Sequence, residues 1–352
     1  MKIAFVITNL SVGGAERVLS IVANNFANNG DDVKVIMLQD SKLDYQVSEK
    51  INIQYIKRKN KGIIGNLGRI INLRRALREY NTVISFLWHI NLYTILATRF
   101  TGKKVIISDR SDPNNELENK SRLIKIIRNY IYGWADKIVF QTKAAQKCYS
   151  KKIQSKSVVI ANPITSNLPY WNTTEKKDKY ICTSCRLAKQ KNLDMAICAF
   201  KKFHILYPDY KYYIYGEGPE KERLNQIIKN NGLQNNIFLK GFTKDLFVNL
   251  VDSSMFVLSS DYEGISNSML EAIAIGIPCI ITDSPPGGAR QFIHNGKNGF
   301  LIPVGDDEAL FKKMCMLADN HDVCVNISKE AIKIREILGE KIICNQWRKI
   351  IN

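Results

Sequence analysis

The chain has 352 residues, 45% of them hydrophobic and 24% charged, a composition that excludes a disordered or fibrous protein. This length exceeds one ordinary domain and favours two. The net charge of +18 is uneven, because residues 1–165 contain 27 Lys and Arg against 12 Asp and Glu. The first residues enter an apolar run without the longer hydrophobic segment of an export signal, and no apolar run is long enough to span a bilayer. We therefore expect a cytoplasmic location.

Short apolar segments alternate with helical or loop sequence in the first part of the chain. Residues 2–8 predict a buried strand, residues 11–30 a glycine turn followed by a helix, and residues 32–38 a second strand. Further strands are predicted at 81–87, 103–108, 136–142 and 156–162. This alternation is typical of a parallel sheet with helices on both faces.

The turn after the first strand contains two adjacent glycines, Gly13 and Gly14, in the sequence SVGGAER. Glycine lets the backbone approach a ligand closely, and free N–H groups at the start of the following helix favour an anion. A third glycine, which a dinucleotide fingerprint requires, is absent. The pattern therefore indicates either an anion site or a tight turn, and it disfavours a NAD-dependent enzyme.

The segment from Lys57 to Arg78 is strongly basic and contains no acidic residue. Its apolar residues lie near helical spacing, which predicts a basic amphipathic helix suited to an anionic membrane surface. A solvated charged surface or nucleic-acid binding are the alternatives, although the aromatic residues of a nucleic-acid module are missing. The cations are Lys57, Arg58, Lys59, Lys61, Arg69, Arg74, Arg75 and Arg78.

Residues 163–178 are polar, contain two prolines and interrupt the alternation, which predicts a linker. A second alternation follows, with strands predicted at 180–187, 210–216, 236–242, 254–260 and 277–283. Its helices are predicted near 191–207, 219–231, 267–276 and 306–319. We therefore predict an α/β protein with two doubly wound domains and a central cleft. The boundaries are 1–165 for the first domain, 166–335 for the second, and 336–352 for a last helix that packs back on the first.

Cys182 and Cys185 have the spacing of some zinc and redox sites. A zinc site needs a second pair of ligands, and a redox pair lies at a helix start rather than in a strand. We therefore predict buried thiols and no metal site.

Two cations follow the first strand of the second domain. Arg186 lies at the end of the predicted strand, and Lys191 comes five residues later, where a helix begins. Arginine can bind a diphosphate through two parallel hydrogen bonds, and lysine acts as a point charge. The pair is a candidate diphosphate site, with solvated loop cations as the alternative.

Glycines also end the next two predicted strands. Gly216 lies in YIYGEGPE, and Gly241 is followed by Phe242 in LKGFTKDL. Backbone groups at such turns can approach a ligand or contact the edge of a base. Each signal is weak by itself.

Two glutamates, Glu263 and Glu271, are separated by seven residues on either side of a predicted helix start. Amides at a helix N-terminus can bind phosphate oxygens, and carboxylates can accept hydrogen bonds from sugar hydroxyls. A pyranose at Glu263 and a ribose at Glu271 would then flank a diphosphate. The alternative is ordinary N-terminal capping. The residues around the helix start are Gly264, Ser266, Asn267 and Ser268.

In order, GGAER, CRLAKQKN, YGEGP, GF, EGISNSMLEAIAIGIPCIITD and NGKNGFLIP resemble the motifs of glycosyltransferase family 4, which has the GT-B fold. The resemblance covers nearly the whole chain, and the two spaced glutamates are its most specific element. It implies transfer of a sugar from a nucleoside diphosphate donor to an acceptor hydroxyl, with retention at the anomeric carbon and without a required metal or cofactor.

The resemblance also implies roles for individual residues. Arg186 and Lys191 would contact the donor diphosphate, Glu263 the donor sugar and Glu271 the ribose. The glycine pair at the start of the chain would let the first-domain loop close over the pyrophosphate. Such cations stabilise developing charge on the leaving group.

The chain departs from the family pattern at three points. Many members have a histidine at the end of a first-domain strand near the donor sugar, where this chain has Asp109 and Arg110. His89 follows the preceding strand and is the candidate instead, with a structural histidine as the alternative. Gln291 stands where a glutamate is usual. No carboxylate is placed as a covalent nucleophile, which leaves a front-face mechanism.

We therefore expect a retaining transferase that moves a hexose or N-acetylhexosamine, from a UDP-sugar, to a membrane-linked saccharide in capsule, cell-wall or glycolipid synthesis. The expected partners are the nucleotide sugar, a lipid-linked acceptor and, through the basic first domain, the inner face of the cell membrane. The alternatives are a nucleotide-sugar epimerase on the same fold and, in another class, a basic nucleic-acid-binding protein.

Overall fold

The computed structural model describes residues 1–11, 13–40, 43–57, 62–110, 121–172, 178–243 and 245–352. The chain divides into two compact units. The first unit comprises residues 1–163 and 340–352, and the second comprises residues 164–339. The predicted boundary at 165–166 differs by two residues, because the Ile164 N–H donates to Leu338 O at 2.8 Å and ties the start of the second unit to its end.

The first unit is built on a parallel sheet in the order β3-β2-β1-β4-β5-β6-β7. Its central strands are runs of buried apolar residues, as expected where helices cover both faces. The strands are β1 Lys2–Ile7, β2 Asp32–Met37, β3 Asn52–Tyr55, β4 Thr82–Phe86, β5 Lys104–Asp109, β6 Lys137–Phe140 and β7 Ser157–Val159.

Three helices of the first unit, α2, α3 and α4, lie side by side on one face of this sheet, with α3 in the middle. Right-handed crossovers from β3 to β4, from β4 to β5 and from β5 to β6 require this placement. Leu73 and Leu77 pack with Ile90 in one core cluster, and Ile95 packs with Tyr132 in another. The helices are α1 Gly14–Asn28, α2 Gly62–Ala76, α3 Trp88–Thr98, α4 Arg122–Tyr132, α5 Lys143–Lys147 and α6 Lys151–Ser155.

The last helix of the chain, α14 (Glu340–Ile351), belongs to the first unit and packs against α1. The ring of Trp347 stacks on Phe86 with centroids 5.5 Å apart. Arg348 forms an ion pair with Asp31 at 2.6 Å. The helix therefore closes the first unit although it follows the second unit in sequence.

The second unit has a parallel sheet in the order β10-β9-β8-β11-β12-β13. Its strands are β8 Asp178–Ser184, β9 Lys211–Tyr215, β10 Ile237–Gly241, β11 Ser253–Leu258, β12 Cys279–Thr282 and β13 Phe300–Ile302. Its helices are α7 Leu193–Leu206, α8 Lys221–Asn230, α9 Leu246–Val251, α10 Asn267–Ile275, α11 Asp307–Asp319, α12 His321–Ala331 and α13 Arg335–Leu338. The prediction of two parallel-sheet α/β domains is confirmed.

Two strands were not predicted, β3 and β13. Both lie at a sheet edge, β3 is half exposed, and β13 has only three residues. Neither therefore has the long apolar run that a central strand shows. Among the described residues, no helix is both long enough and apolar enough to cross a membrane.

Candidate functional site

The residues predicted to bind a donor diphosphate and its sugars lie in the loops after β8, β9, β10 and β11 of the second unit. Parallel strands end at the same edge of a sheet, so these loops share one edge, where ligands of such sheets bind. Lys191 and Glu263, which are 72 residues apart in sequence, form an ion pair there, with Nζ and Oε2 2.5 Å apart. Their side chains are only 12% and 20% exposed.

Burial by itself would lower the pKa of Lys191. The charge of Glu263 and the hydrogen bond to it outweigh burial, so the pKa of Lys191 lies above its ordinary value. Lys191 therefore stays protonated at any physiological pH. The structure places a fixed positive charge beside a carboxylate at this edge of the sheet.

Hydrogen bonds tie the loop after β8 to the loop after β11. The side chain of Asn192 donates to Asp261 at 2.7 Å, that of Gln190 donates to Tyr262 O at 2.6 Å, and Ser259 Oγ donates to Lys191 O at 2.9 Å. These polar residues were not singled out from the sequence, since their partners lie about 70 positions away. They hold the backbone that carries the ion pair.

Asn192 also begins α7, because its side chain accepts the N–H of Met195. Its φ of 42° lies in the left-handed region, which asparagine tolerates better than most residues. This conformation turns the chain from the short helical turn Lys189–Lys191 into α7. Lys191 is therefore held at the junction of two helical segments.

Arg186 lies on the same edge, directly after β8, and its side chain is exposed. Within the described part of the chain, no carboxylate lies within ion-pair distance of its guanidinium. Arg186 thus differs from Lys191, which already has a carboxylate partner. A diphosphate could use both of its parallel N–H groups.

Glycine is favoured in the next two loops for different reasons: a close backbone contact at Gly216 and a left-handed φ of +70° at Gly241. A Cβ at Gly216, where φ is +131°, would lie 1.9 Å from Cys185 O, and a Cβ at Gly241 would lie 2.8 Å from Glu217 Oε1. The Gly216 N–H donates to Gly241 O at 2.8 Å. Phe242 follows with its side chain 56% exposed. The two glycines predicted separately therefore belong to one joined pair of loops.

Helix α10 begins beside Glu263. Ser266 caps the helix by accepting the Met269 N–H, and its hydroxyl lies 3.0 Å from that of Ser268. Asn267 is the first helical residue. Glu271 lies in the second turn and is 3% exposed, so a ribose hydroxyl would have to reach a nearly buried carboxylate.

The loop that carries Glu263 is packed tightly against the loop after β12. A Cβ at Gly288 would lie 1.6 Å from Gly264 O, and the Glu263 N–H donates to Pro285 O at 2.8 Å. Gln291, which stands where the family has a glutamate, is exposed in the next turn. The loop carrying Glu263 is thus supported from both sides.

The thiols of Cys182 and Cys185 lie beneath this edge. Burial raises the pKa of each to about 12, so both stay protonated at physiological pH. A thiol must lose its proton to act as a nucleophile or metal ligand.

In the first unit, Gly13 and Gly14 begin α1, as predicted. The hydroxyl of Tyr45 accepts the Gly13 N–H at 3.1 Å and donates to Gly13 O at 2.8 Å. The glycine pair predicted free amides at this helix start. Instead, the carboxylate of Glu16 lies there, since a Cβ added at Gly13 would be only 2.1 Å from Glu16 Oε2. The position predicted for an external anion thus holds a carboxylate of the chain itself.

Burial raises the pKa of Glu16. Hydrogen bonding by the backbone amides of Ala15 and Glu16 lowers this pKa, but by less than burial raises it. At a helix N-terminus, the backbone amides and the helix dipole stabilise a charged carboxylate. Partial burial removes water from the carboxylate and therefore destabilises the charged form. A phosphate reaching these amides would have to displace Glu16.

His89 lies in the first turn of α3, and its Nε2 is 3.1 Å from the hydroxyl of Thr8, which follows β1. Burial lowers the pKa of His89, and the charge of Arg69 lowers it further. The imidazole is therefore neutral at physiological pH. Strands β1 and β4 are neighbours, which places His89 at the same edge of the first sheet as the glycine turn.

Asp109 and Arg110, at the end of β5, form a buried cluster that sequence reasoning did not predict. Asp109 accepts a hydrogen bond from the Tyr149 hydroxyl at 2.5 Å, and Arg110 donates to Asn162 at 2.8 Å. Burial raises the pKa of Asp109 and lowers that of Arg110 to about 9. The only sequence signal was a charged pair directly after an apolar strand.

The predicted basic segment is helical from Gly62, and Arg58, Lys59 and Lys61 lie outside the described residues. Two of its cations donate to backbone carbonyls: Arg69 to Leu38 O and Arg74 to Arg99 O. Three others, with Lys34, line a surface cavity of about 560 Å³; these are Lys57, Arg75 and Arg78.

Two family matches cover most of the chain. Residues 12–168 match the family described as Glycosyltransferase Family 4, and residues 171–334 match the family described as Glycosyl transferases group 1. The matched segments follow the division into two units.

Two relatives illustrate the similarity. A protein of Methanocaldococcus jannaschii named uncharacterized glycosyltransferase MJ1059 is 32% identical over 68% of this chain and 70% of its own length. The second relative, from Campylobacter jejuni, is 25% identical over 100% of this chain and 98% of its own. It is named GalNAc-alpha-(1->4)-GalNAc-alpha-(1->3)-diNAcBac-PP-undecaprenol alpha-1,4-N-acetyl-D-galactosaminyltransferase.

Among solved structures, the Anabaena protein Alr3699/HepE in complex with UDP and glucose superposes with a TM-score of 0.88 at 18% identity. The match covers 100% of this chain and 99% of that chain. At this level of identity the likeness shows a shared fold.

Proposed function

Because this chain belongs to the glycosyltransferases with the GT-B fold, we propose that it transfers a hexose or N-acetylhexosamine from a UDP-sugar to a saccharide acceptor. The anomeric configuration is retained in the product. The observation that carries the proposal is the Lys191–Glu263 ion pair beside the exposed Arg186 and the N-terminus of α10. This combination offers cations and amides for a diphosphate and a carboxylate for sugar hydroxyls.

The ion pair leaves binding capacity on both partners. An ammonium has three N–H donors, and Lys191 uses one of them on Glu263 Oε2. The other two can donate to phosphate oxygens, while Glu263 Oε1 can accept a hydrogen bond from a sugar hydroxyl. Lys191 can thus bind the diphosphate without leaving Glu263.

In the proposed reaction, the bond between the anomeric carbon and the diphosphate oxygen breaks as the acceptor oxygen bonds to the same face of that carbon. The proton of the acceptor hydroxyl leaves with the diphosphate. Arg186 and Lys191 stabilise the negative charge that grows on the leaving group, in place of a metal ion. Gly13 and Gly14 contact the pyrophosphate only after Glu16 is displaced from the start of α1. Glu271 binds the ribose, and the neutral imidazole of His89 hydrogen-bonds the donor sugar. The turns at Gly216, Gly241 and Phe242 contact the nucleoside.

The proposed acceptor is a lipid-linked saccharide at the cytosolic face of the membrane. The Campylobacter relative, similar over its whole length, is named for an acceptor linked to undecaprenyl diphosphate. The excess of cations in residues 1–165 would attract the protein to an anionic leaflet. The epimerase and nucleic-acid-binding alternatives are not favoured, because both family matches and the relatives are glycosyltransferases.

Calorimetric titration of the protein with UDP tests the donor site. We expect Arg186→Ala and Lys191→Ala each to weaken binding by about tenfold or more, since each removes a charged hydrogen-bond donor worth about 1.5–3 kcal/mol. Turnover of a UDP-sugar should fall further than binding, because the leaving group gains charge in the transition state.

Lys189→Ala is the matched control, because Lys189 lies in the same turn with an exposed side chain. It should leave UDP binding within about twofold of the unchanged protein. Equal affinity in all three variants, or no UDP binding at all, would contradict the proposed donor site.

A further inference from the structure

Helix α4 (Arg122–Tyr132) presents its apolar side chains outward. Leu123, Ile124, Ile126, Ile127 and Tyr130 follow the spacing of one helical face, and each is between 36% and 69% exposed. A surface helix normally turns such a stripe toward the core. Within the described part of the first unit, this stripe is therefore not covered by packing against the core.

The inner side of α4 carries the opposite polarity. Arg128 is only 4% exposed and lies over the ring of Tyr149, with the guanidinium carbon 4.9 Å from the ring centroid. Tyr132 is fully buried in the core cluster of β5 and β6. These anchors fix the rotation of α4, because turning the apolar stripe inward would expose Tyr132 and separate Arg128 from Tyr149.

Helix α2, on the other side of α3, has the same property. Ile63, Ile64, Leu67 and Ile71 are between 51% and 79% exposed, whereas Leu73 is buried. Since adjacent helix axes are about 8–10 Å apart, α2 and α4 are about 20 Å apart across α3. The two apolar stripes therefore lie on the same face of the first unit.

The apolar surface continues past the ends of these helices. Phe100, directly after α3, is 86% exposed, and the guanidinium of Arg99 lies over its ring. The same guanidinium lies over Trp134, whose ring is 5.3 Å from that of Tyr130. Aromatic and arginine side chains together are typical of groups at the boundary between hydrocarbon and water.

The basic charge of the surface formed by α2, α3 and α4 indicates which kind of partner it binds. Helices α2, α3 and α4 contain no acidic residue in their sequences, and the cations of α2 and α4 other than the buried Arg128 are Arg69, Arg74, Arg75, Arg122 and Lys125. A second copy of the chain would bring two basic surfaces together, which is unfavourable. An anionic lipid bilayer, in contrast, offers both hydrocarbon and negative charge.

We propose that α2 and α4 form a membrane-docking face whose apolar side chains insert into the interface of an anionic bilayer. Insertion goes beyond the electrostatic attraction predicted from the basic segment, because apolar contacts persist at high salt and surface ion pairs do not. The proposal rests on the proposed function in one respect: membrane docking would bring the enzyme to a lipid-linked acceptor. Its test needs neither donor nor acceptor.

Vesicle flotation of the full chain tests the face. Phosphatidylcholine vesicles with about 30% phosphatidylglycerol should retain the protein at about 0.1 M and at about 1 M NaCl, where the screening length is only about 3 Å. The variant Leu123→Ser/Ile127→Ser/Tyr130→Ser should bind about tenfold less at high salt. Arg74→Ser/Arg75→Ser should lose binding chiefly at low salt.

Ile205→Ser is the matched control, since Ile205 is 75% exposed on α7 of the second unit. It should bind vesicles as the unchanged protein does. A second readout is quenching of tryptophan fluorescence by brominated lipid. The quenching should be lost in Trp134→Phe, which removes the indole beside Tyr130.

The proposal is overturned if the protein does not float with anionic vesicles or floats equally with the α4 variant. It is also overturned if the protein forms a dimer that the α4 variant abolishes without any vesicle binding. Failure of the donor site appears separately, as loss of UDP binding with vesicle binding intact.

Discussion

The two units share the strand order 3-2-1-4-5-6 when each is numbered from its own first strand, and the first unit adds a seventh strand. The edges at which their strands end are nevertheless built differently. In the second unit, hydrogen bonds and close backbone contacts join neighbouring loops, and an ion pair spans two of them. In the first unit, Tyr45 and Glu16 saturate the turn at Gly13 from within. Contacts between loops hold the second edge, whereas side chains of the unit itself close the start of α1 in the first.

The outer surfaces differ as well. Exposed apolar residues of the first unit concentrate on α2 and α4. Those of the second unit, such as Ile205, Phe242, Val248 and Val304, are scattered over different elements. Scattered apolar residues are ordinary on a protein surface, and a contiguous patch indicates binding. The proposed donor site therefore lies in the second unit, and the proposed membrane-docking face lies in the first.

Among these variants, the largest expected effect is that of Gly216→Ala, which disrupts the packing of the loops at the edge of the second sheet. The new Cβ would lie 1.9 Å from Cys185 O at a φ of +131°, so both backbone strain and overlap must be relieved. We expect the free energy of unfolding to fall by about 4 kcal/mol, measured by urea denaturation.

Gly232→Ala is the matched control, because Gly232 has a φ of +69° but a Cβ added there would meet no atom within 4 Å. This variant should lower the free energy of unfolding by only about 1 kcal/mol, because it introduces backbone strain without atomic overlap. Equal losses in the two variants would mean that the contact between the loops after β8 and β9 does not hold this edge.

A cycle of Lys191→Met, Glu263→Gln and the double variant measures the ion pair. Each single change leaves a mostly buried charge without its partner and should cost about 2 kcal/mol of unfolding free energy. The double variant should cost less than the sum of the two. Because the pKa of Lys191 is raised, the pair's contribution is full below the ordinary value of 10.5 and is lost only as the pH rises through the raised one.

The exposed pair Lys221–Glu217 provides the comparison for this cycle, with Nζ and Oε1 3.1 Å apart. Lys221→Met should change the free energy of unfolding by less than about 0.5 kcal/mol. If the Lys191 and Glu263 variants behave like Lys221→Met, the pair does not stabilise the edge.

The smallest effect is expected in the first unit, from Glu16→Gln. Burial raises the pKa of Glu16, so its contribution to stability is full below the ordinary value of 4.5 and is lost as the pH rises through the raised value. The melting temperature of the unchanged protein, relative to that of the variant, should therefore fall by a few degrees between about pH 4 and pH 7. Parallel melting curves at all pH values would show that Glu16 is not held at the start of α1.

Sequence patterns predicted both sheets because the central strands are apolar runs flanked by helical segments, such as Lys2–Ile7 and Ser253–Leu258. They missed β3 and β13, since an edge strand is covered less and can be short and polar. The helix start at Ser266 was predicted within one residue, because capping depends on a side chain and an amide close together in sequence.

Partners that are distant in sequence could not be predicted. The ion pair of Lys191 with Glu263, the bond of Asn192 to Asp261 and the buried cluster of Asp109 with Tyr149 each join separate elements. Local spacing contains no information on which loops meet.

By itself, the sequence determined the elements, their alternation and the residue types at the strand ends, because these depend on interactions between close neighbours in the chain. The tertiary structure decided which charges pair, that Glu16 occupies the start of α1, and that the apolar stripe of α4 faces outward. A stripe shows only that a helix has two different faces. Packing of Arg128 and Tyr132 on the sheet side determines which face is exposed.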